Sequence, residues 1–149
     1  MIKGEITMTA KQLSVFIENR QGRLGEVLHV LKENNVNILS MSLADTTEYG
    51  LLRLIVNDPE AGRDALIKGG FSSMVTDVLV IKIPHKTGSL QQILETVAGS
   101  NINIEYMYGL SIEGDDASIV MKTNDREMAE EILKRCGIGT MSADEISQL

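Results

Sequence analysis

The sequence predicts an α+β fold: two β-α-β-β-α-β modules in tandem, each an antiparallel sheet with its helices on one face. Three observations carry this prediction. The chain aligns with itself when shifted by 66 residues. Strand-like alternation and helix-like spacing follow one another in the same order in both halves. The length, 149 residues, suits two small domains or one of ordinary size.

At the shift of 66, Leu13 meets Leu79, Gly22 meets Gly88, Leu24 meets Leu90 and Leu28 meets Leu94. Asn35, Asn37 and Met41 likewise meet Asn101, Asn103 and Met107. Beyond residue 48 the shift becomes 67, so that Asn57-Asp58 meets Asn124-Asp125 and Leu66 meets Leu133. One residue has entered the second copy, and the turn at Gly114-Asp115-Asp116 is the expected place for it. A period this long marks a duplicated domain rather than a solenoid.

The first element reads as a strand, because Leu13, Val15 and Ile17 alternate with Ser14, Phe16 and Glu18. A turn-rich stretch, 19–22, follows. Leu24, Val27, Leu28 and Leu31 then give one apolar helix stripe. Asn34-Asn35 stops that helix, since asparagine tolerates the left-handed cap. Residues 36–43 and 51–56 read as strands joined by a turn over 45–50. Asp58 is the expected N-cap of a second helix, with Pro59 at its first position. Ala61, Ala65 and Leu66 are its expected inner face, Gly69-Gly70 its end, and 72–75 a closing strand.

The second copy repeats the order with strand 78–83, helix 90–98, strands 102–110 and 118–122, helix 126–134 and a weak last strand near 141–146. The order is ferredoxin-like. The expected division is an extension over 1–10 without a role in the core, a module over 11–76 and a module over 77–149. About 66 residues make a marginal core, so modules or chains are expected to pack together. Phe16 and Val80 point to the sheet face away from the helices, which suggests an interface there.

Net charge is −7, and aromatic residues make up 3% of the chain, with no tryptophan. This argues against nucleic-acid binding, which needs basic surface and stacking rings. The acidity is concentrated late: residues 11–76 carry 7 basic and 8 acidic side chains, residues 77–149 carry 6 and 12. No apolar run approaches membrane-spanning length, and the N-terminus lacks a secretory h-region. The one cysteine, Cys136, allows no internal disulfide and no cysteine-based zinc cluster, so a cytoplasmic location is expected. His29 and His85 have no second histidine at ligand spacing, so neither metal nor other cofactor is expected.

Asn19-Arg20-Gln21-Gly22-Arg23-Leu24, followed fifteen residues after the glycine by Asn37-Ile38, resembles the signature of the ACT domain. The second copy has His85-Lys86-Thr87-Gly88-Ser89-Leu90 and Asn103-Ile104 at the same interval. More narrowly, the chain resembles stand-alone tandem ACT proteins. The resemblance implies a regulatory protein, not an enzyme. It would sense an amino acid between ACT modules, act as a homodimer, and signal to a partner enzyme of amino-acid or aromatic-acid metabolism. The ligand contacts it implies are Asn19, Gly22, Leu24 and Asn37, and in the second copy His85, Gly88, Leu90 and Asn103.

The physics of the motif agrees. A glycine where strand turns to helix leaves backbone N–H groups accessible, and a helix N-terminus favours a carboxylate. Asn37 and Asn103 begin strands expected to lie near that loop, where an amide suits either end of an amino acid. Asn19 matches the polar contact of serine-sensing ACT modules, and His85 replaces it in the second copy. Ile17 and Ile83 stand where some such modules carry a polar residue. Two alternatives follow: a different ligand, or a single active site. The same glycines also read as plain turn residues, and the same asparagines as strand-start residues bonding nearby backbone.

Two other functions use the same features. A ligand-free oligomerisation or docking scaffold needs only the interface. An acylphosphatase-like hydrolase would need Arg20 or Arg23 brought together with Asn37. His29 reads as an exposed helix residue, Asp115-Asp116 as a solvated turn, and Tyr106 and Tyr108 as core or interface.

Overall fold

The structure is a computed structural model and describes residues 9–45 and 48–149. Most of the expected extension, and residues 46 and 47 of the first hairpin turn, lie outside the described residues. The backbone divides into two compact units, built mainly of residues 11–76 and 77–146.

The first unit contains β1 (Ala10–Glu18), α1 (Arg23–Glu33), β2 (Ile38–Asp45), β3 (Tyr49–Val56) and α2 (Pro59–Lys68). A long strand, β4 (Ser72–Pro84), runs through the junction into the second unit. There follow α3 (Ser89–Ala98), β5 (Ile104–Glu113), β6 (Asp116–Thr123), α4 (Arg126–Arg135), β7 (Gly139–Thr140) and α5 (Ala143–Ser147). β3 pairs antiparallel with both β1 and β2. β6 pairs antiparallel with both β4 and β5, and β7 adds to β4. The second unit thus has the strand order β5-β6-β4-β7, and the predicted ferredoxin-like arrangement is present.

The apolar periodicities become two equivalent cores. Leu13, Val15 and Ile17 of β1 and Leu52, Leu54 and Val56 of β3 meet Val27, Leu31 and Leu66 from the helices. In the second unit Leu79, Ile81, Ile83 and Met121 meet Ile93, Val97, Ile132 and Leu133. Truncating a fully buried leucine such as Leu31 typically costs 2–5 kcal/mol.

The predicted caps are in place. Asp58 accepts from the Ala61 N–H at 3.2 Å, and Asp125 from the Met128 N–H at 3.1 Å. Asn35 and Asn101 adopt left-handed φ values of 56° and 67° beyond their helices.

Six expectations need correction. Ala10, assigned to the extension, begins β1 and is 1% exposed. The inner face of α2 is Gly62 and Leu66 rather than Ala61, which is exposed. A Cβ at Gly62 would stand 2.9 Å from Leu13 Cδ2, so the bare glycine lets the helix lie close over the sheet. Ser14 is buried together with Gln12, whose Nε2 donates to Ser14 Oγ at 3.1 Å. Of the two residues assigned to an interface, Val80 is fully buried whereas Phe16 is 49% exposed.

The fifth and sixth corrections concern the second unit. The expected last strand over 141–146 is instead two residues of β7 followed by α5. Ser142 and Glu145 form a capping box: the Glu145 N–H donates to Ser142 Oγ at 3.2 Å, and the Ser142 N–H donates to Glu145 Oε1 at 3.1 Å. Met141 and Ile146, buried, occupy the two positions of a hydrophobic staple. The extra residue of the second copy is not in the hairpin turn. Leu43 pairs with Leu52 and Ala44 with Leu51, but Gly109 pairs with Ile119 and Ser111 with Ser118. Leu110 is therefore the inserted residue, and it forms a bulge in β5.

Two outcomes follow. Asp58→Ala and Asp125→Ala should each lower stability by about 1 kcal/mol in urea unfolding. Ser142→Ala should weaken α5 alone, raising amide exchange at Glu145 and Ile146 about fivefold with little effect on the cores.

Candidate functional site

The same strand-to-helix junction is built twice. After β1, the Arg20 N–H donates to the Glu18 carbonyl at 2.8 Å, and the Asn19 N–H donates to the Glu48 carbonyl at 2.9 Å. After β4, the Lys86 N–H donates to the Pro84 carbonyl at 3.0 Å, and the His85 N–H donates to the Asp115 carbonyl at 2.7 Å. The first pair of bonds in each case reverses the chain. The second anchors the loop to the neighbouring hairpin. Gly22 and Gly88 then serve as N-caps at φ 88° and 90°, a left-handed backbone that other residues adopt only at a cost. Neither cap has a side chain to satisfy the helix amides, so the N-termini of α1 and α3 keep donors available.

A hollow opens beside each junction. The first is small, about 100 Å³, and is lined by Ile17, Asn19, Arg20, Leu24, Leu43 and Gly50 among others. The second, about 360 Å³, is lined by Ile83, His85, Lys86, Ser89, Leu90 and Ala117 among others. A further hollow of about 440 Å³ shares His85 and Ala117 with it and extends along Gly109, Leu110, Ile112 and Ile119.

Asn19 and Leu24 thus line the first hollow, and His85 and Leu90 the second. Gly22 and Gly88 shape the loops beside them. Asn37 and Asn103 do not join them. Asn37 precedes Ile38, which pairs with Val56, whereas the loop follows Glu18, which pairs with Tyr49. Seven residues of β3 separate the two positions, about 23 Å at ~3.3 Å per residue. The expectation that these asparagines lie near the loop is overturned, because in this topology β2 and β5 begin at the far end of the sheet. There the Asn57 carboxamide Oδ1 accepts from the Asn37 N–H at 2.8 Å, and Asn124 Oδ1 accepts from the Asn103 N–H at 2.9 Å. The repeated Asn-Asp pairs at 57–58 and 124–125 are locks: the asparagine ties down the strand start and the aspartate caps the next helix.

The acylphosphatase-like arrangement is likewise not assembled. Arg23 lies with its guanidinium carbon 4.2 Å from the Phe71 ring centroid, paired to Glu26 at 2.5 Å and Glu18 at 3.8 Å. Arg20 pairs with Glu18 at 3.3 Å. Both guanidiniums are engaged with carboxylates at the end of the sheet away from Asn37.

Other singled-out residues fall elsewhere. His29 is exposed on α1, and Cys136 is exposed at the end of α4. Tyr106 and Tyr108 stack with ring centroids 6.5 Å apart, half-buried. A register shift after Ile104 places them opposite Lys122 and Val120, on the sheet face away from the helices. Among the described residues, no group of three or more His, Cys, Asp or Glu side chains could hold a metal ion. No described helix is long and apolar enough to cross a membrane.

No functionally curated protein matches the chain. Among solved structures, protein BT0572 from Bacteroides thetaiotaomicron is similar, at 34% identity and a TM-score of 0.89 over 95% of this chain and 98% of that one. The ligand-free regulatory subunit of aspartate kinase from Thermus thermophilus shares the fold at 14% identity and a TM-score of 0.63, over 86% of this chain and 92% of that one. The corresponding subunit from Thermus flavus gives 14% and 0.61 over the same shares. The profile of the ACT domain pair family matches residues 8–149, and with the duplicated ferredoxin-like units this places the chain in that family.

Proposed function

We propose that the chain is a regulatory protein that senses an amino acid and passes its occupancy to a partner enzyme. The observation that carries this reading is the twice-built junction: a left-handed glycine cap, helix amides without side-chain caps, and a hollow lined by the preceding loop. In this reading the ligand carboxylate meets the helix N-terminus and the loop side chains, and the ligand side chain enters the hollow. A second copy of the chain would complete the site, since among the described strands β5 ends the sheet order, beyond β6. That regulatory subunits of aspartate kinase share this fold is in keeping with such a role. A ligand that binds one assembly state better than another shifts the population between them, and so acts without chemistry of its own. The expected setting is the cytoplasm.

A ligand-free docking scaffold is the second reading. It draws on large apolar side chains left in water, among them Phe16, Tyr49 at 57% and Ile112 at 65% exposure.

Thermal unfolding against the twenty amino acids separates the two. A ligand at about 100 times its dissociation constant adds about 2.7 kcal/mol, a shift of several degrees in Tm. The sensor reading expects one chemical class to give this shift. His85→Ala and Leu90→Ala combined with Asn19→Ala and Leu24→Ala should remove it, whereas Asn37→Ala should retain it. A transition that no amino acid moves, together with capture of a partner enzyme by the apo protein, would favour the scaffold.

A further inference from the structure

The two junctions share a backbone but not a hollow. Leu43 of β2, which lines the first hollow, is aligned with Gly109 of β5. In the first unit a Cβ added at Gly50 would already meet Leu43 Cδ1 at 3.3 Å and Ile17 Cγ1 at 3.2 Å, so Leu43 and Ile17 fill the space over the hairpin. In the second unit a Cβ added at Gly109 meets nothing within 4 Å. Ala117 stands in place of Gly50 and returns only a methyl group. The inserted Leu110 bulges β5 at this same point, and bulges are the usual means of re-aiming an edge strand beside a site.

The charges differ in the same sense. Glu18 holds Arg20 and Arg23 beside the first hollow. Its counterpart is Pro84, and Lys86 beside the second hollow has no carboxylate partner among the described residues.

From the vacancy at Gly109 and the unpaired Lys86 we infer that the second unit alone binds ligand, and that the ligand is a carboxylate with a branched aliphatic side chain. Its carboxylate pairs with Lys86. Its side chain lies over Ala117 and Ile119 in the space that Leu43 fills in the first unit. Two sources share this chemistry, a branched aliphatic amino acid and its 2-oxo acid. The inference rests on the regulatory reading above and specifies which site works and what it selects.

Isothermal titration of the full chain with L-leucine, 4-methyl-2-oxopentanoate, glycine and L-aspartate tests it. One equivalent of L-leucine or of the oxo acid should bind per chain, with glycine and aspartate at least about tenfold weaker. The two branched probes tell the sources apart. Gly109→Leu, which restores the residue of the first unit, should abolish this binding, and Gly109→Ala should weaken it by a smaller factor. The φ at Gly109 is not positive and the space is open, so both variants should fold. Leu43→Gly should leave the first equivalent unchanged. Branched-acid binding that survives Gly109→Leu, or tighter binding of glycine or aspartate, overturns this inference and leaves the sensor reading standing. Binding of none of the four probes also overturns this inference, and the sensor reading falls with it only if none of the twenty amino acids shifts the unfolding transition.

Discussion

The left-handed turn at Gly22 and at Gly88 is the constraint on which the rest of each unit depends. A strand must end, reverse and begin a helix within four residues, and a φ near +90° at the last of them makes this possible. A side chain there would strain the backbone by roughly 1–2 kcal/mol. The turn directs the helix back over the sheet, so Val27 and Leu31 in one unit, and Ile93 and Val97 in the other, land on the strands. It also leaves the helix start without a side-chain cap, at the rim of a hollow. Packing and the candidate hollow therefore share one backbone feature.

Duplication separates that shared feature from its local consequences. Caps, locks and cores recur almost residue for residue. What differs is side-chain volume and charge at a few positions around the loop: Leu43 against Gly109, Gly50 against Ala117, Glu18 against Pro84. These changes leave the cores as they are: Glu18, Leu43, Gly50, Pro84 and Gly109 are outside both, and Ala117 only packs against the second. A duplicated chain can therefore keep one copy as packing and open the other to a ligand without loss of the fold.

Most of the fold was legible because helix and strand periods are set by which residues must be buried. Asp58 with Pro59, and Asn34 with Asn35, marked boundaries by backbone chemistry alone. The strand expected near 141–146 is a helix start instead, because Met141 and Ile146 form the apolar pair of a staple. The Ser142–Glu145 spacing between them was the available signal for a helix. The inserted residue was assigned to the turn because turns tolerate insertions, yet only strand register reveals a bulge. The candidate site was half legible. Asn19, Leu24, His85 and Leu90 do line hollows. Asn37 and Asn103 do not, because order along the chain leaves open which end of the next strand faces the loop. Gly109, the residue that most distinguishes the two sites, carried no motif and became visible only beside Leu43.

A ligand in the hollow of the second unit would be sensed by the methyl groups that line it. Methyl NMR of the full chain with a pool of the twenty amino acids and the 2-oxo acid tests it most directly. Shift changes are expected at Leu90, Leu110 and Ile119, with Leu24, Leu43 and Leu52 unmoved. Equal changes around both junctions, or changes confined to the first, would contradict it.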